Sequence, residues 1–323
     1  MRALLRMLLV AATFVLHSPA WAQAAATYPN RPVRMIVPFP AGGPTDVLAR
    51  VVAQRMSEAW GQQVIVDNKP GGNTIIGAEL AAKAPADGYT LLMAIDSTLV
   101  MNQFLYSRLP YDPRKDFVPI SLLAWSPLVL VTDAATGPRS MGELIERARA
   151  NPGKLSFGAG TVTTQLAGEM IKAAAGIDVM YVPYKGSAGT VQGLLSGDVT
   201  FILDGVTASV PHVRSGKFRA LANLGSRPIA ALPDLPTIAS QGAPGVDVAV
   251  WLGLVAPAGI PADIQAKIHQ EVARAVALPD VRERLLNAGL DPASSSPSEF
   301  GRFIASESDR WGALIKRTGI RLD

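Results

Sequence analysis

Cysteine is absent from the 323-residue sequence. Its absence excludes disulfides, thiolate metal sites, thiol nucleophiles and the lipidated cysteine of a bacterial lipoprotein. Histidine is scarce, since only His17, His212 and His269 occur, and no two of them have the spacing of metal ligands. The G-x-S-x-G elbow of many hydrolases is also missing. We therefore predict no catalytic residue, no metal site and no cofactor, and a hydrolase or isomerase ranks only as a third hypothesis.

The sequence also lacks an excess of charge of one sign. It has 30 Lys and Arg against 26 Asp and Glu, a formal net charge of +4, and no extended basic run. Loss of the first 22 residues, which carry Arg2 and Arg6, would bring the charge closer to neutrality. This balance predicts no nucleic-acid partner.

The first 22 residues have the pattern of a secretory signal. Arg2 and Arg6 precede the apolar run of residues 8–16, and Ala20-Trp21-Ala22 is the small-x-small pattern that signal peptidase accepts. The apolar run is far shorter than the ~20 residues of a membrane-spanning helix. We predict a signal peptide over residues 1–22, cleaved near Ala22, and a periplasmic location. The alternative is an uncleaved membrane anchor.

The remaining chain alternates short β-branched runs with helical patterns, which indicates an α/β architecture with mostly parallel sheets. At a prior of ~150 residues per domain, its length predicts two domains. The predicted first lobe comprises residues 27–125 and 249–323, and the second comprises residues 126–248. We expect the chain to cross between them at residues 119–132, as one long strand, and again at residues 248–256. Only helical patterns follow, so these helices should pack back on the first lobe.

Two serines predict helix starts in this second half. Ser140 has Glu143 three residues later, which is the spacing of a capping box. Ser296-Pro297-Ser298-Glu299 combines a cap serine, a first-turn proline and an acid at the same spacing.

Two glycine-bearing turns, at residues 38–45 and 158–163, each join a predicted strand to a predicted helix. Their backbone amides at a helix N-terminus favour an anion. Neither turn contains Lys or Arg, and Gly43 is not followed by the Lys of a nucleotide-binding P-loop. Thr45 or Asp46 can cap the first of the two helices. The pair predicts a carboxylate held by amides, hydroxyls and water in a cleft, although each turn alone is equally compatible with a tight turn that binds nothing.

Other polar loops follow strands at the same predicted sheet edges. Asn73 and Thr74 can cap a helix or bind a ligand, and Ser97 stands in a segment that is either a helix start or a ligand loop. Tyr184 and its neighbours follow a strand of the second lobe. Asp204 would repel a carboxylate, so we expect it to accept hydrogen bonds from loop amides or from a ligand hydroxyl or amine.

Several short segments, in a fixed order along the chain, are typical of one protein family. They are YPNRPVR at residues 28–34, IVPFPAGGPTD at 36–46, VDNKPGG at 66–72, ADGYTL at 86–91, PYKG at 183–186 and LPDLPT at 232–237. In this combination the mature chain resembles the substrate-binding proteins of tripartite tricarboxylate transporters, the Bug-type family.

The resemblance implies a periplasmic-binding-protein fold of the Venus-flytrap kind, with two α/β lobes that close over one small ligand. It also implies a small organic carboxylate or dicarboxylate as ligand and the membrane permease subunits of a tripartite transporter as partners. We expect a monomer. The predicted ligand-binding residues are Phe39, Pro40, Ala41, Gly42, Gly43, Thr45, Asn73, Thr74, Ser97, Gly160, Thr161, Thr164, Tyr184, Gly186 and Asp204.

The sequence departs from the family pattern near the expected ligand. Many relatives have serine where Ala159 stands, histidine where Gln165 stands, and more glycine around Asn73 and Thr74. The substrate of a relative therefore cannot be transferred to this chain. The leading hypothesis is a receptor for carboxylate transport, and the alternative is a solute-binding protein that reports to a two-component signalling partner.

Overall fold

A computed structural model describes residues 28–322, which form two β-sheets with helices on both faces of each. The predicted signal peptide, residues 1–22, lies outside the described residues. We call each sheet with its helices a lobe. The two-lobed α/β fold predicted from the sequence is confirmed, whereas the exact lobe boundaries stay a prediction.

The first sheet has six strands in the order β11-β4-β10-β3-β1-β2. Strand β1 pairs in parallel with β2 and β3, while β10 runs antiparallel between β3 and β4. The strands are β1 Val33–Val37, β2 Val64–Asn68, β3 Thr90–Ile95, β4 Phe117–Ser126, β10 Val250–Pro257 and the short β11 Asp291–Pro292.

The second sheet has five strands in the order β7-β6-β8-β5-β9. Strand β6 pairs in parallel with β7 and β8, while β5 runs antiparallel to β8 and β9. The strands are β5 Leu128–Asp133, β6 Ser156–Ala159, β7 Met180–Pro183, β8 Phe201–Gly205 and β9 Phe218–Asn223.

Each sheet is mostly parallel in strand direction, as predicted, but mixed: β10 and β11 run against the other four strands of the first sheet, and β5 runs against the other four of the second. Two of these strands, β5 and β10, enter a sheet from the crossing between the lobes. Leu128, at the start of β5, pairs with Gly205 at the end of β8, and Leu252 near the start of β10 pairs with Ile95 at the end of β3. A strand that enters the sheet beside the carboxyl ends of its neighbours must run antiparallel to them.

The first crossing is two strands instead of the one long strand predicted. Pro127 alone separates β4 from β5, because proline has no N–H to continue a ladder. The return crossing is β10, where Val250 pairs with Ser126. Trp251 beside it is fully buried and meets Phe300 edge to face at 5.6 Å between ring centroids.

Helices cover both faces of each sheet. They are α1 Pro44–Trp60, α2 Ile75–Ala82, α3 Asn102–Leu105, α4 Met141–Ala150, α5 Val162–Ala175, α6 Gly186–Leu195, α7 Val206–Arg214, α8 Ala262–Ala277, α9 Pro279–Asn287 and α10 Pro297–Thr318, with a π-helical turn at Ser97–Met101 and a 3₁₀ turn at Ile238–Gln241.

In the first lobe, α1, α8 and α9 pack on one face of the sheet, and α2 and α10 pack on the other. In the second lobe, α4 and α5 pack on one face, and α6 and α7 pack on the other.

The predicted serine caps are confirmed. Ser140 accepts the N–H of Glu143, and Ser296 and Glu299 form a reciprocal capping box at the start of α10. Helix α10 buries Phe300, Trp311 and other apolar side chains against the first lobe, as expected for helices without a sheet of their own. In the part of the chain from Tyr28 to Leu322, no helix is both long and apolar enough to cross a membrane.

Candidate functional site

The carboxyl ends of the parallel strands carry the predicted site residues. The loops after β1, β2 and β3 belong to the first lobe, and those after β6, β7 and β8 belong to the second. Ligands of open α/β sheets bind at such strand ends. The two lobes therefore each present three loops of the same kind.

The loop after β1 is shaped by two side chains that the sequence did not single out as part of the site. Asp46 accepts the N–H of Gly42 at 2.9 Å, and Asn68 donates to the carbonyl of Phe39 at 3.0 Å and to Asp46 at 2.9 Å. Gly42 has φ +89°, a left-handed conformation that glycine adopts without strain. Asp46 and Asn68 thus fix the loop from beneath, while Pro40, Ala41 and Gly42 remain exposed.

The carboxyl of Asp46 has a lowered pKa in this position. Burial alone would raise the pKa of its carboxyl, but hydrogen bonds from Arg50, Gly42 and Asn68 bring the pKa below its ordinary value. The Nε of Arg50 lies 2.9 Å from the carboxylate, one helical turn further along α1. Lys69, directly after β2, is likewise paired, since its Nζ lies 3.1 Å from Asp67.

Helix α1 begins without a side-chain cap. The predicted cap by Thr45 or Asp46 was wrong, because Gly43 occupies the cap position and Pro44 the first turn. Thr45 is buried within that first turn. Asp46 instead turns back to the Gly42 amide, which leaves the first amides of α1 without a capping side chain.

The loop after β2 has an unusual backbone. Asn73 and Thr74 adopt φ of 49° and 74°, and Thr74 is at the N-cap of α2 without a side-chain cap bond. The predicted capping role is therefore wrong for both residues. The Thr74 hydroxyl instead accepts a hydrogen bond of 2.9 Å from Thr98.

The segment after β3 provides the most informative polar groups. The N–H of Ser97 donates to Oδ1 of Asp96 at 2.8 Å, and the Thr163 hydroxyl of the second lobe donates to Oδ2 at 3.0 Å. Burial raises the pKa of Asp96 to about 7, against the opposing effect of these two hydrogen bonds. The Ser97 hydroxyl is buried and has no hydrogen-bond partner among residues 28–322.

Asp96 and Thr163 were not among the predicted site residues. The signal for Asp96 was present, because an aspartate ends a buried apolar strand here as Asp204 does in the second lobe. Thr163 ends the second glycine-bearing turn, but its pairing with Asp96 gave no local signal, since the two residues are 67 positions apart.

In the second lobe the loops after β6 and β7 touch each other through glycine. Gly186 donates its N–H to the carbonyl of Gly160 at 3.0 Å. A Cβ on Gly160 would lie 2.6 Å from the carbonyl carbon and oxygen of Gly186. Gly160 is thus required for the approach of the two loops, whatever it contributes to a ligand.

The predicted threonines of this lobe are engaged in a helix cap. The Thr161 hydroxyl accepts the N–H of Thr164 at 3.2 Å, and the Thr164 hydroxyl accepts the N–H of Thr161 at 3.2 Å. Their side chains close the first turn of α5 and orient the neighbouring Thr163 towards Asp96.

The side chain of Tyr184 is held by the helix that follows it. Its ring lies on Gly158, Gly189 and Gly193, none of which has room for a side chain on that face. Its backbone N–H donates to the Ala159 carbonyl at 3.0 Å. Tyr184 therefore supports the loop in the observed arrangement through packing.

Asp204 is an acceptor, as predicted. It receives hydrogen bonds from the hydroxyls of Ser187 at 2.6 Å and Ser209 at 3.4 Å, and it is buried. Burial raises the pKa of Asp204 to about 6 despite these bonds. Ser187 at the start of α6 is thereby tied to the end of β8.

Several cavities lie elsewhere on the described part of the molecule. One of about 430 Å³ is lined by Arg114, Phe117 and Ile304, and one of about 250 Å³ lies beside Trp125 and Arg227 at the crossing. Two larger ones, of about 700 and 620 Å³, adjoin Phe104. None of these four is lined by the predicted site residues. Across the described residues, no cluster of three or more acidic or histidine side chains is placed to hold a metal ion.

Comparison with known proteins agrees with this geometry. The chain is 36% identical to Protein BugT of Bordetella pertussis over 321 residues, which cover 98% of each chain. The solved structure of R. palustris Rpa4515 with adipate shares 35% identity and a TM-score of 0.86, over 91% of this chain and 99% of that one. MatC from Rhodopseudomonas palustris with bound malate shares 30% identity and a TM-score of 0.81, over 89% and 100%.

A family profile described as the tripartite tricarboxylate transporter family receptor matches residues 48–320. These residues include both sheets apart from β1, and they contain every strand-end loop except the first. The chain belongs to the tripartite tricarboxylate transporter receptor family, the Bug family of solute-binding proteins.

Proposed function

We propose that this protein is a periplasmic receptor that captures a small organic dicarboxylate between its lobes and delivers it to the membrane permease of a tripartite transporter. The relatives that support the ligand class are Rpa4515, solved with adipate, and MatC, solved with malate. The fifteen residues predicted from the sequence remain the proposed contact set.

One observation carries the proposal. Ser97 buries a hydroxyl that has no partner on the described protein atoms, at the strand edge where the lobes meet. A buried polar group without a hydrogen bond is unfavourable, and a ligand oxygen would supply the missing bond. The first-lobe cations at this edge, Arg50 and Lys69, are already paired with Asp46 and Asp67. Amides and hydroxyls of this lobe are therefore left to hold a ligand carboxylate, and Lys185 is an exposed cation in the loop after β7.

The proposed mechanism is closure of the lobes over the ligand. A dicarboxylate that touches loops of both lobes binds the closed state more tightly than the open state, and so shifts the population towards closure. A permease can then distinguish loaded from empty receptor by the arrangement of the lobes.

Ligand-dependent stabilisation tests the proposal. Adipate or malate at ~100 times its dissociation constant should raise the free energy of unfolding by ~2.7 kcal/mol. Adipamide, the neutral diamide of the same length as adipate, is the matched control and should have no effect. If adipate, malate and other di- and tricarboxylates all leave the melting temperature unchanged, the ligand class is wrong.

The transport part needs its own experiment. The mature receptor, loaded with the acid identified above, should capture the permease subunits from solubilised membranes of the source cells. Capture of a sensor ectodomain in their place would overturn the transport role while leaving the ligand class intact.

A further inference from the structure

The turn between β2 and α2 holds two successive residues in a strained conformation. Asn73 has φ 49° and Thr74 has φ 74°, directly after Gly71 and Gly72, which also have positive φ. The left-handed region is unfavourable for residues with a Cβ, and a β-branched threonine there is a clear outlier. Such a conformation persists only where the surrounding structure enforces it.

Asn102 enforces the conformation of the first strained residue. Its side-chain Nδ2 donates to the Asn73 carbonyl at 2.9 Å, and its Oδ1 accepts from the Asn73 side chain at 2.7 Å. Asn102 is fully buried. One side chain thus holds both the backbone and the side chain of Asn73.

Thr98 and Tyr111 complete the restraint on Thr74. The Thr98 hydroxyl donates to the Thr74 hydroxyl at 2.9 Å, and the Tyr111 hydroxyl donates to the Thr98 carbonyl at 2.8 Å. All three residues are buried. Thr98 follows Ser97 directly, so this network joins the loop after β2 to the segment that carries the unpaired hydroxyl.

We propose that Asn102 is a positioning residue for the ligand site, because its two hydrogen bonds hold the Asn73–Thr74 turn in the strained conformation that faces the ligand. This inference rests on the proposed function, since the turn matters for binding only if the strand edge is the ligand site. Glycine would adopt this turn without strain. This chain has Asn73 and Thr74 there, and it therefore depends on the two hydrogen bonds with Asn102, which we call the clamp.

A double-mutant cycle tests this role with adipate as the probe. In the natural turn, Asn102→Ala should weaken adipate binding about tenfold, because apparent affinity falls with the fraction of protein in the competent conformation. In the background Asn73→Gly/Thr74→Gly the same change should weaken binding by less than about threefold, because glycine needs no clamp. Equal losses of affinity in both backgrounds would overturn the proposal, since the effect of Asn102 on binding would then not depend on the strained turn.

Two further variants separate an effect on ligand binding from a loss of folding. Thr98→Val keeps the shape of the side chain and removes the hydrogen bond to Thr74. It should cause a smaller loss of adipate affinity than Asn102→Ala, and the glycine background should again reduce that loss. Thr132→Val is the matched control, because its buried hydroxyl bonds to the Pro138 carbonyl within the second lobe; it should lower the urea midpoint without changing adipate affinity. A wild type that binds no di- or tricarboxylate overturns the proposed function, whereas unchanged binding in Asn102→Ala and Thr98→Val overturns the clamp alone.

Discussion

The hydroxyl of Thr163 donates a hydrogen bond of 3.0 Å to the carboxyl of Asp96, and this bond joins the two lobes. Asp96 follows β3 of the first sheet, and Thr163 lies in the first turn of α5 in the second lobe. Both are fully buried. The bond forms only when the two strand edges meet, so it favours the closed arrangement.

Thr163→Val should shift the lobes towards the open state. The change keeps the shape of the side chain but leaves a buried carboxyl with one hydrogen bond fewer, which destabilises the closed state by about 1–3 kcal/mol. Small-angle X-ray scattering of the ligand-free variant should give a larger radius of gyration, and dicarboxylate affinity should fall. Thr132→Val, whose hydroxyl bonds within one lobe, is the control. An unchanged radius and affinity would contradict the role of this bond.

Asp96 should make stability depend on pH. Burial, together with the nearby Glu307 and against the opposing effect of Arg310, raises the folded-state pKa of Asp96 to about 7. A raised carboxyl pKa means that the folded state binds the proton more tightly than the unfolded state. Its stabilising effect is therefore complete below the ordinary pKa and is lost as pH rises towards 7, by at most about 1.4 kcal/mol per pH unit.

The matched variant is Asp96→Asn, which cannot titrate. Urea unfolding of both proteins from pH 4 to 8 should show the wild type losing stability relative to the variant up to about pH 7 and then levelling off. Asp204, with a pKa raised to about 6, contributes the same trend to both proteins and so cancels in the difference. Parallel profiles would show that Asp96 is not buried as a neutral acid.

Gly289 is a second contact between the lobes. A Cβ there would lie 2.9 Å from Cγ2 of Val206 and 3.0 Å from the backbone N of Thr207, at the start of α7. Gly289→Ala should therefore hinder closure and weaken ligand binding severalfold. Gly61→Ala is the control, because Gly61 has a similar φ of +63° against +74° but no atom within 4 Å of a Cβ.

Gly289→Ala and Gly61→Ala should lower the free energy of unfolding by a similar amount, about 1–2 kcal/mol, because both positions have a left-handed backbone conformation. Calorimetric titration with adipate separates the two effects. If Gly61→Ala weakens binding as much as Gly289→Ala does, backbone strain and not lobe contact is responsible.

The local sequence predicted the elements of the fold better than their directions. The helix caps at Ser140 and Ser296 are as expected from the sequence. Such features depend on residues within one turn of each other. The apolar run of β10 reads the same in either direction, so its antiparallel pairing with β3 follows only from the path of the chain between lobes.

The candidate site shows the same division. Sequence reasoning singled out Ser97, Asp204 and the glycine turns as candidates, because strand ends and turn residues are local signals. It missed the support given by Asn68 and Asn102, which hold loops 29 positions away. A single asparagine belongs to no periodic sequence pattern, and its role appears only when two distant segments are brought together.

Ser97 provides a test in which stability and binding move differently. Its hydroxyl is buried and without a partner among residues 28–322, so Ser97→Ala removes an unfavourable buried group and should leave the free energy of unfolding unchanged or raise it by up to about 1 kcal/mol. If the hydroxyl bonds a ligand carboxylate, affinity for that acid should fall about five- to tenfold.

Ser121→Ala is the matched control for this variant. Ser121 is equally buried, but its hydroxyl donates to the Ser295 carbonyl at 2.9 Å. Its removal should lower the urea midpoint and leave affinity unaltered, the reverse of the result expected for Ser97→Ala. If Ser97→Ala loses stability and binds adipate normally, the hydroxyl has a structural partner instead of a ligand, and the observation on which the proposed site rests fails.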